Sequence, residues 1–514
     1  MNEKNKRTAI NIIAQCIAFA VNLGVSFLLT PYITKTLGKE VYGFVGLAYN
    51  VTSYICVFTV AFNTMLNIFV ASNYHKKEMK KANEFFSSVL IADVAISLIL
   101  LIPLLLITYK LEMFMNVPAN SMNDIKLLWV LIFINFVVSL AFGPYGTGVF
   151  IKNRMDLSAI RGIESNVIKA VLLIVMFSVF SPKVWFVGLA ALVCGTYVVL
   201  VNYYYHRKLV PEVKLSFSHF RWSALKELLA VGVWNTINQL TSILMNGLDL
   251  IVSNLFFKEL GMGYISYAQT VPTQMAALIT TIKSAFTPQL TKVYAQSKNG
   301  NMEPFVKEVK SSMQICGFLG SVPILVFMVF GTSFYRLWLP TLTPEEVVTI
   351  NILAIMILIP TMMDVYISPL YDVNSITKKI KIPVILTFFI GIANILLEIG
   401  LIKVTNLGIY AIEIATALLV VGKVLFFTPV YAAKILSLKW TTFYPPLIKG
   451  AVANVIGFVI LYVIKCNVYI NSWLSLFVVC GFAAVLGYAV EFFIVLTKEN
   501  KAKVIQMIKK KFGR

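Results

Sequence analysis

The chain has few charged residues, cysteines or histidines for its length of 514 residues. Only 13% of the residues are charged and 59% are hydrophobic, whereas a soluble domain has about 25% charged residues. Six scattered cysteines without a CxxC pair argue against a disulfide framework, and with three histidines they indicate no metal site. The sequence contains no P-loop, HExxH motif or Ser/His/Asp set, so we expect no enzymatic activity, catalytic residue or cofactor.

Long apolar runs recur through the whole sequence, many of them roughly 20 residues long, which is enough for a helix to cross a bilayer. The runs are continuous, whereas membrane β-strands alternate apolar with polar residues. The sequence therefore predicts an all-α integral membrane protein with about fourteen transmembrane helices. The predicted spans are 9–34, 42–68, 84–108, 125–149, 158–180, 184–205, 228–256, 263–285, 310–333, 346–369, 381–403, 407–432, 446–465 and 472–496.

The net charge of +21 indicates an orientation in the membrane. If the N-terminus is in the cytoplasm, most Lys and Arg residues fall in inner loops and in the C-terminal tail, as the positive-inside rule requires. A nucleic-acid partner is not needed to explain the charge. An even number of spans then places both termini in the cytoplasm, and we expect a multi-pass plasma-membrane protein surrounded by lipid.

Two parts of the chain resemble each other at an offset of 224 residues. NIIAQCIAFAVN (11–22) matches NTINQLTSILMN (235–246), and the loop 71–89 matches 295–313, including its Ser-Ser pair. Both copies start in the cytoplasm, so the repeat is parallel, as in many transporters. We predict an N-terminal six-helix lobe, a C-terminal six-helix lobe, an accessory helix pair and a basic cytoplasmic tail, at residues 1–225, 226–440, 441–497 and 498–514.

The repeated amides form a polar stripe on the first and the seventh span. At 100° per residue, each stripe covers less than about 80° of its helix. Amides facing lipid would lack partners, so the stripes must face protein or water. Two interpretations remain: hydrogen bonding between helices, or the lining of a water-filled cavity between two lobes that holds substrate. The candidate residues are Asn11, Gln15, Asn22, Asn235, Gln239 and Asn246.

Charged residues inside the spans are further candidates. Lys169 lies near the middle of the fifth span and Lys283 near the inner end of the eighth, and a lysine in the bilayer centre should face the interior. Both are candidate substrate ligands, although Lys283 could extend to the interface and Lys169 could pair with Glu164. Asp249 ends the second polar stripe and is the candidate ion-coupling carboxylate, with a structural role as the alternative. No metal site is expected.

One motif resembles a known family. LLTPYITKTLGKEVYGFVGLAYNV (28–51) resembles the first-loop signature of the polysaccharide-export branch of the multidrug/oligosaccharidyl-lipid/polysaccharide flippase superfamily, through Pro31, Leu37-Gly38 and Tyr42-Gly43. SAFTPQLTKVYA (284–295) resembles the corresponding element after the eighth span. The resemblance covers nearly the whole chain and implies a MATE-like fold of two lobes with an extra C-terminal pair.

The resemblance implies a Wzx-type flippase. Such a protein moves an undecaprenyl-pyrophosphate-linked oligosaccharide from the inner to the outer leaflet by alternating access, for surface polysaccharide biosynthesis, with polymerase or assembly proteins as possible partners. Amides suit sugar hydroxyls, and a buried lysine suits the pyrophosphate. A lipid II flippase and a cation-coupled multidrug exporter remain alternatives. A membrane polymerase or glycosyltransferase would need a large external loop, which the sequence lacks.

Overall fold

The computed structural model describes residues 3–246, 248–284, 286–297 and 301–502, together with residue 505. Within these residues the chain is helical and contains no strand, which confirms the all-α prediction. The predicted basic tail is described only as far as residue 502 and at residue 505, so most of that prediction lies outside the described residues. Contacts group the chain into two compact units, Met1–Gly263 and Tyr264–Arg514, while the predicted lobe boundaries remain predictions.

The first unit contains nine complete helices among the described residues and the start of a tenth. They are α1 (Glu3–Leu37), α2 (Lys39–His75), α3 (Met79–Tyr109), α4 (Leu111–Phe114), α5 (Met122–Phe142), α6 (Thr147–Ile151), α7 (Met155–Val179), α8 (Trp185–Leu209), α9 (Trp222–Asn246) and α10 (Asp249–Ser284). The backbone of α10 is interrupted at Lys258 (φ 59°, ψ −162°), within the loop predicted between the seventh and eighth spans.

The second unit continues from the later part of α10. Its further helices are α11 (Thr287–Ser297), α12 (Glu303–Trp338), α13 (Pro344–Ile376), α14 (Lys381–Val404), α15 (Tyr410–Gly422), α16 (Thr428–Ile435), α17 (Tyr444–Asn467) and α18 (Trp473–Ile494). A π-helical turn, Lys423–Phe427, joins α15 to α16.

Twelve helical stretches in the described part of the chain are long and apolar enough to cross a membrane. One of them, Gln239–Tyr294, has 56 residues, more than one crossing needs. Another apolar stretch, Val41–Val57 in α2, is shorter than the rest. These findings support a protein that crosses the membrane many times, and the total of fourteen spans stays a prediction.

Helix pairs that are distant in sequence build each unit. In the first unit α1 packs on α7, α2 on α9, and α5 on both α3 and α8. In the second unit α12 contacts α11, α13, α17 and α18, and 72% of its most apolar window is buried, against 17% for α18. Helix α12 is therefore the axis of the second unit, and the predicted accessory pair, α17 and α18, packs directly on it.

Small residues allow this close packing around Tyr366 of α13. A Cβ atom added at Gly317 of α12 or Gly450 of α17 would lie 2.1 Å or 2.4 Å from the Tyr366 ring. Helices in a membrane gain little from the hydrophobic effect and associate through such close contacts and through hydrogen bonds. The glycines thus bring α12 and α17 close to the same three atoms, Cδ1, Cε1 and Cζ, of one aromatic ring.

Candidate functional site

Asn11, the first amide of the repeat, joins two helices of the first unit. Its Nδ2 donates to the backbone oxygen and to Oδ1 of Asn153, each at 3.1 Å, and its Oδ1 accepts from the backbone N of Asp156 at 3.0 Å. Asn153 has a left-handed backbone (φ 51°) in the turn that precedes α7. Because the buried amide uses both of its ends on this turn, Asn11 acts as the interhelical hydrogen-bonding group that the first interpretation expected.

The other amides of the stripes are placed differently. Gln15 and Asn22 are exposed on α1, one and three turns beyond Asn11, and make no hydrogen bond to any residue that the structure describes. Gln239 is half-buried on α9. Asn235 and Asn246 belong to α9, but their side chains lie outside the described residues, so the predicted symmetry of the two stripes stays a prediction.

Lys169 lies on α7, fifteen residues into a helix of 25 residues. Its side chain is half-buried, and its Nζ lies 5.6 Å from the centroid of the Tyr49 ring on α2. Among the described residues no carboxylate pairs with this ammonium, and the expected alternative partner, Glu164, instead accepts a hydrogen bond from Tyr197 at 2.5 Å. Lys169 is therefore a cation within an apolar helix, beside an aromatic ring and without an acidic partner among the described residues.

Asp249 is buried at the first position of α10. A carboxylate there is stabilised by the positive end of the helix dipole. It also lies close enough to Tyr54 of α2 for the two groups to interact electrostatically. These surroundings favour a charged, fixed carboxylate. The ion-coupling role of Asp249 stays a prediction.

The second unit contains a network of charged side chains around Tyr371 of α13. The Lys283 Nζ lies 5.8 Å and the Lys423 Nζ 5.6 Å from the Tyr371 ring centroid, and the tyrosine hydroxyl donates to Asp364 at 2.6 Å. Lys283 also pairs with Asp372 at 3.4 Å. The positive charges of two lysines are thus offset by the negative charges of two aspartates. Lys283, unlike Lys169, has an acidic partner among the described residues.

A second polar cluster lies between α14 and α15. Asn394 donates to Glu398 on the next turn of its own helix and, at 3.0 Å, to Thr416 on α15. Glu413, one turn before Thr416, is as deeply buried as Glu398, each being 1% exposed. Carboxylate, amide and hydroxyl oxygens at this density can bind a proton or a hard cation. No group of three or more His, Cys, Asp and Glu residues suited to a metal occurs in the described residues.

Two buried charges of the first unit were not selected from the sequence. Asp93 of α3 is fully buried and accepts from Asn63 of α2 at 3.2 Å. It lies inside an apolar run, so the rule that selected Asp249 could have selected it. Arg161 of α7 is 3% exposed, with its guanidinium carbon 5.2 Å from the Tyr205 ring centroid. Its position near a helix start gave no signal of burial.

Comparison with known proteins places this arrangement in a family. The chain is 29% identical over 509 residues to the uncharacterized membrane protein EpsK of Bacillus subtilis (strain 168), covering 98% of both chains. Its fold resembles an inward-facing MATE family multidrug transporter, with a TM-score of 0.64 and 16% identity over 84% of this chain and 97% of the other. It equally resembles the lipid II flippase MurJ in an inward closed conformation, with a TM-score of 0.63 and 14% identity over 94% and 98%.

The family model for polysaccharide biosynthesis proteins matches residues 8–294. This range holds the whole first unit from Thr8 onward, including the first-loop signature at Pro31 and Tyr42-Gly43. The MATE-like fold predicted from that signature is confirmed by the structural similarities. The chain belongs to the polysaccharide biosynthesis protein family.

Proposed function

We propose that this protein flips an undecaprenyl-pyrophosphate-linked oligosaccharide from the inner to the outer leaflet of the plasma membrane by alternating access, with both termini in the cytoplasm. The product is used for surface polysaccharide, so polymerase and assembly proteins are the expected partners. The observation that carries the proposal is Lys169, a lysine in the apolar helix α7 without an acidic partner among the described residues. A pyrophosphate supplies the missing negative charge and forms charge-assisted hydrogen bonds with an ammonium.

The remaining candidates fit the other parts of such a substrate. Gln15 and Asn22 present exposed amides without a hydrogen bond to the described residues, and such amides can both donate to and accept from sugar hydroxyls. Asn235, Gln239 and Asn246 are proposed for the same role. Lys283 is a weaker substrate ligand because Asp372 already neutralises it. We keep Asp249 as the proposed ion-coupling carboxylate.

The test is complementation of a deletion strain, with analysis of lipid-linked oligosaccharides. Lys169→Gln should leave expression normal, lower the surface polysaccharide and accumulate the lipid-linked intermediate on the inner leaflet. Lys152→Gln is the matched control, because Lys152 bonds the Tyr74 hydroxyl at 2.8 Å outside the apolar part of the helices. Full export by Lys169→Gln at wild-type protein level would contradict the role given to Lys169.

A cation-coupled multidrug exporter is the second candidate, and the specific observation in its favour is the set of buried carboxylates. Asp249, Glu398 and Glu413 are each at most 3% exposed. The two functions separate in one experiment: deletion of an exporter raises sensitivity to cationic dyes and leaves polysaccharide intact, whereas deletion of the flippase does the reverse.

A further inference from the structure

Each unit contains a helical hairpin built from the duplicated loop sequence. The hairpin is α2–α3 in the first unit and α11–α12 in the second. The 224-residue offset pairs Ser87 with Ser311 and Asn83 with Lys307. A separate cavity of about 540 Å³ adjoins each hairpin, and the two cavities are lined at matching positions, Glu84 in the first unit and its counterpart Glu308 in the second.

In the first unit, residues 210–221 cross the start of α3, and we call them the linker strap. The Lys214 N donates to Asn83 Oδ1 at 2.8 Å, and Asn83 Nδ2 donates to the Glu212 oxygen at 3.2 Å. Further along, the Ser216 N donates to Ser87 Oγ at 3.1 Å. The strap also buries Val210 and Val213 in the apolar cluster of the hairpin. Side chains of α3 thus satisfy the backbone of an irregular segment.

In the second unit, the residues that follow α18 occupy the corresponding place. We call residues 495–501 the C-terminal strap. Asn500 Nδ2 donates to Gln314 Oε1 at 2.7 Å, Ser311 Oγ donates to Asn500 Oδ1 at 2.7 Å, and the Thr497 N donates to Gln314 Oε1 at 3.3 Å. The Lys307 Nζ adds an ion pair with Glu499 at 2.7 Å.

The receiving side chains form one face of α12. Lys307, Ser311 and Gln314 are spaced i, i+4 and i+7, so they lie in one line along the helix. The strap covers the Ser311 and Gln314 end of this line, where Asn500 is 2% exposed, and its first residue, Val495, is fully buried. If the strap were absent, the buried amide of Gln314 and the hydroxyl of Ser311 would lose their partners, which is costly in a protein interior.

From these contacts we infer that the two straps occupy equivalent positions on the duplicated hairpin, and that residues 495–501 are a built-in structural element of the second unit. The duplicated serine, Ser87 or Ser311, forms a hydrogen bond with the strap in each unit. The strap precedes α9 in the first unit and follows α18 in the second. The inference does not depend on the transported substrate.

The first test compares two truncations of the full-length protein in detergent, read by thermal unfolding. A stop after Ala502 removes only residues beyond the strap and should leave the unfolding temperature within about 1 °C of wild type. A stop after Leu496 removes the polar part of the strap and should lower it by roughly 5 °C or more, given about 2–4 °C per kcal/mol for a unit of this size. Equal unfolding temperatures for both truncations would overturn the inference.

The second test remains decisive if the shorter protein fails to fold. Single cysteines replace Asn500 or the exposed neighbour Lys498 in a background without native cysteines, and a water-soluble maleimide labels them. A docked strap predicts labelling of Asn500→Cys at least about tenfold more slowly than Lys498→Cys, because a closed site reacts only when it opens locally. Adding Gln314→Ala, which removes the acceptor of the Thr497 N, should speed labelling at position 500 and leave position 498 unchanged. Equal labelling rates at the two positions would contradict a docked strap.

Discussion

A single hydroxyl, that of Tyr366, connects α13 to both helices of the accessory pair. It donates to Glu491 Oε1 on α18 at 2.8 Å and accepts from Asn454 Nδ2 on α17 at 3.2 Å. All three side chains are buried, with Tyr366 and Glu491 each 1% exposed. Replacement of Tyr366 by Phe keeps the ring packed against its glycines and removes both of these bonds. The substitution therefore isolates the polar part of the contact.

The expected cost follows from the burial of the two partners. A buried group that loses its partner costs about 1–3 kcal/mol, and a carboxyl group falls toward the upper end of that range. With two groups affected, Tyr366→Phe should destabilise the second unit by about 2–6 kcal/mol. At about 2–4 °C per kcal/mol, the unfolding temperature should fall by roughly 4–24 °C.

The assay is thermal unfolding of the purified protein, followed by size-exclusion chromatography. Tyr488→Phe is the matched control, because the Tyr488 hydroxyl bonds the Leu319 oxygen at 3.3 Å in a more exposed position. It should shift the unfolding temperature by less than about 3 °C, as expected for one ordinary hydrogen bond. If both variants unfolded at the wild-type temperature, the polar contact would not hold the accessory pair and the reasoning would fail.

Three further predictions concern the first unit. Asn11→Ala should lower the free energy of unfolding by about 1–3 kcal/mol, because the turn before α7 loses its buried amide partner, whereas Gln15→Ala should leave it unchanged. Equal unfolding curves for the two variants would contradict this. Asn22→Cys should react with a water-soluble thiol reagent in a cysteine-free background, whereas buried Asn454→Cys should not; an inert position 22 would place it against lipid. Asp249→Asn should abolish ion-dependent export at normal expression, and unchanged ion dependence would exclude Asp249 from coupling.

The sequence predicted the helical fold because a bilayer imposes simple rules on it. Long apolar runs must form helices that satisfy their own backbone, and the described residues are helical through most of each predicted span. The 224-residue repeat could also be recognised in the sequence, because its polar residues are surrounded by apolar ones. The structure adds a physical reason for part of it: Ser87 and Ser311 each receive a strap.

The partners of individual polar residues could not be predicted from the sequence. Asn11 and Asn22 lie on one stripe by helical periodicity. Asn11 is nevertheless buried against the turn before α7, whereas Asn22 is exposed. The difference arises because Asn153, which is 142 residues away from Asn11, brings a left-handed turn to the first position only. Periodicity gives the face of a helix, but only the tertiary structure gives the residue that faces it.

Lys169 and Lys283 illustrate the same limit and lead to opposite predictions. A lysine inside a membrane costs at least about 2.5–3.5 kcal/mol, and a tyrosine ring returns only about 0.5–2 kcal/mol of this. Lys283 also has Asp372 at 3.4 Å, so Lys283→Gln leaves a buried carboxylate without its cation and should lower the unfolding temperature. Lys169 has the Tyr49 ring beside it and no carboxylate partner among the described residues, so Lys169→Gln should raise the unfolding temperature of the substrate-free protein while it lowers export.

A residue that destabilises the empty protein and supports its activity is the signature of a ligand site, because the bound anion offsets the cost of the unpaired charge. The measurement is thermal unfolding of both variants beside the wild type, with and without added undecaprenyl pyrophosphate. The lipid should stabilise the wild type and Lys283→Gln by similar amounts and Lys169→Gln by much less. If Lys169→Gln lowered the unfolding temperature as Lys283→Gln does, Lys169 would be a structural cation with a partner of its own, and the pyrophosphate would have to bind elsewhere.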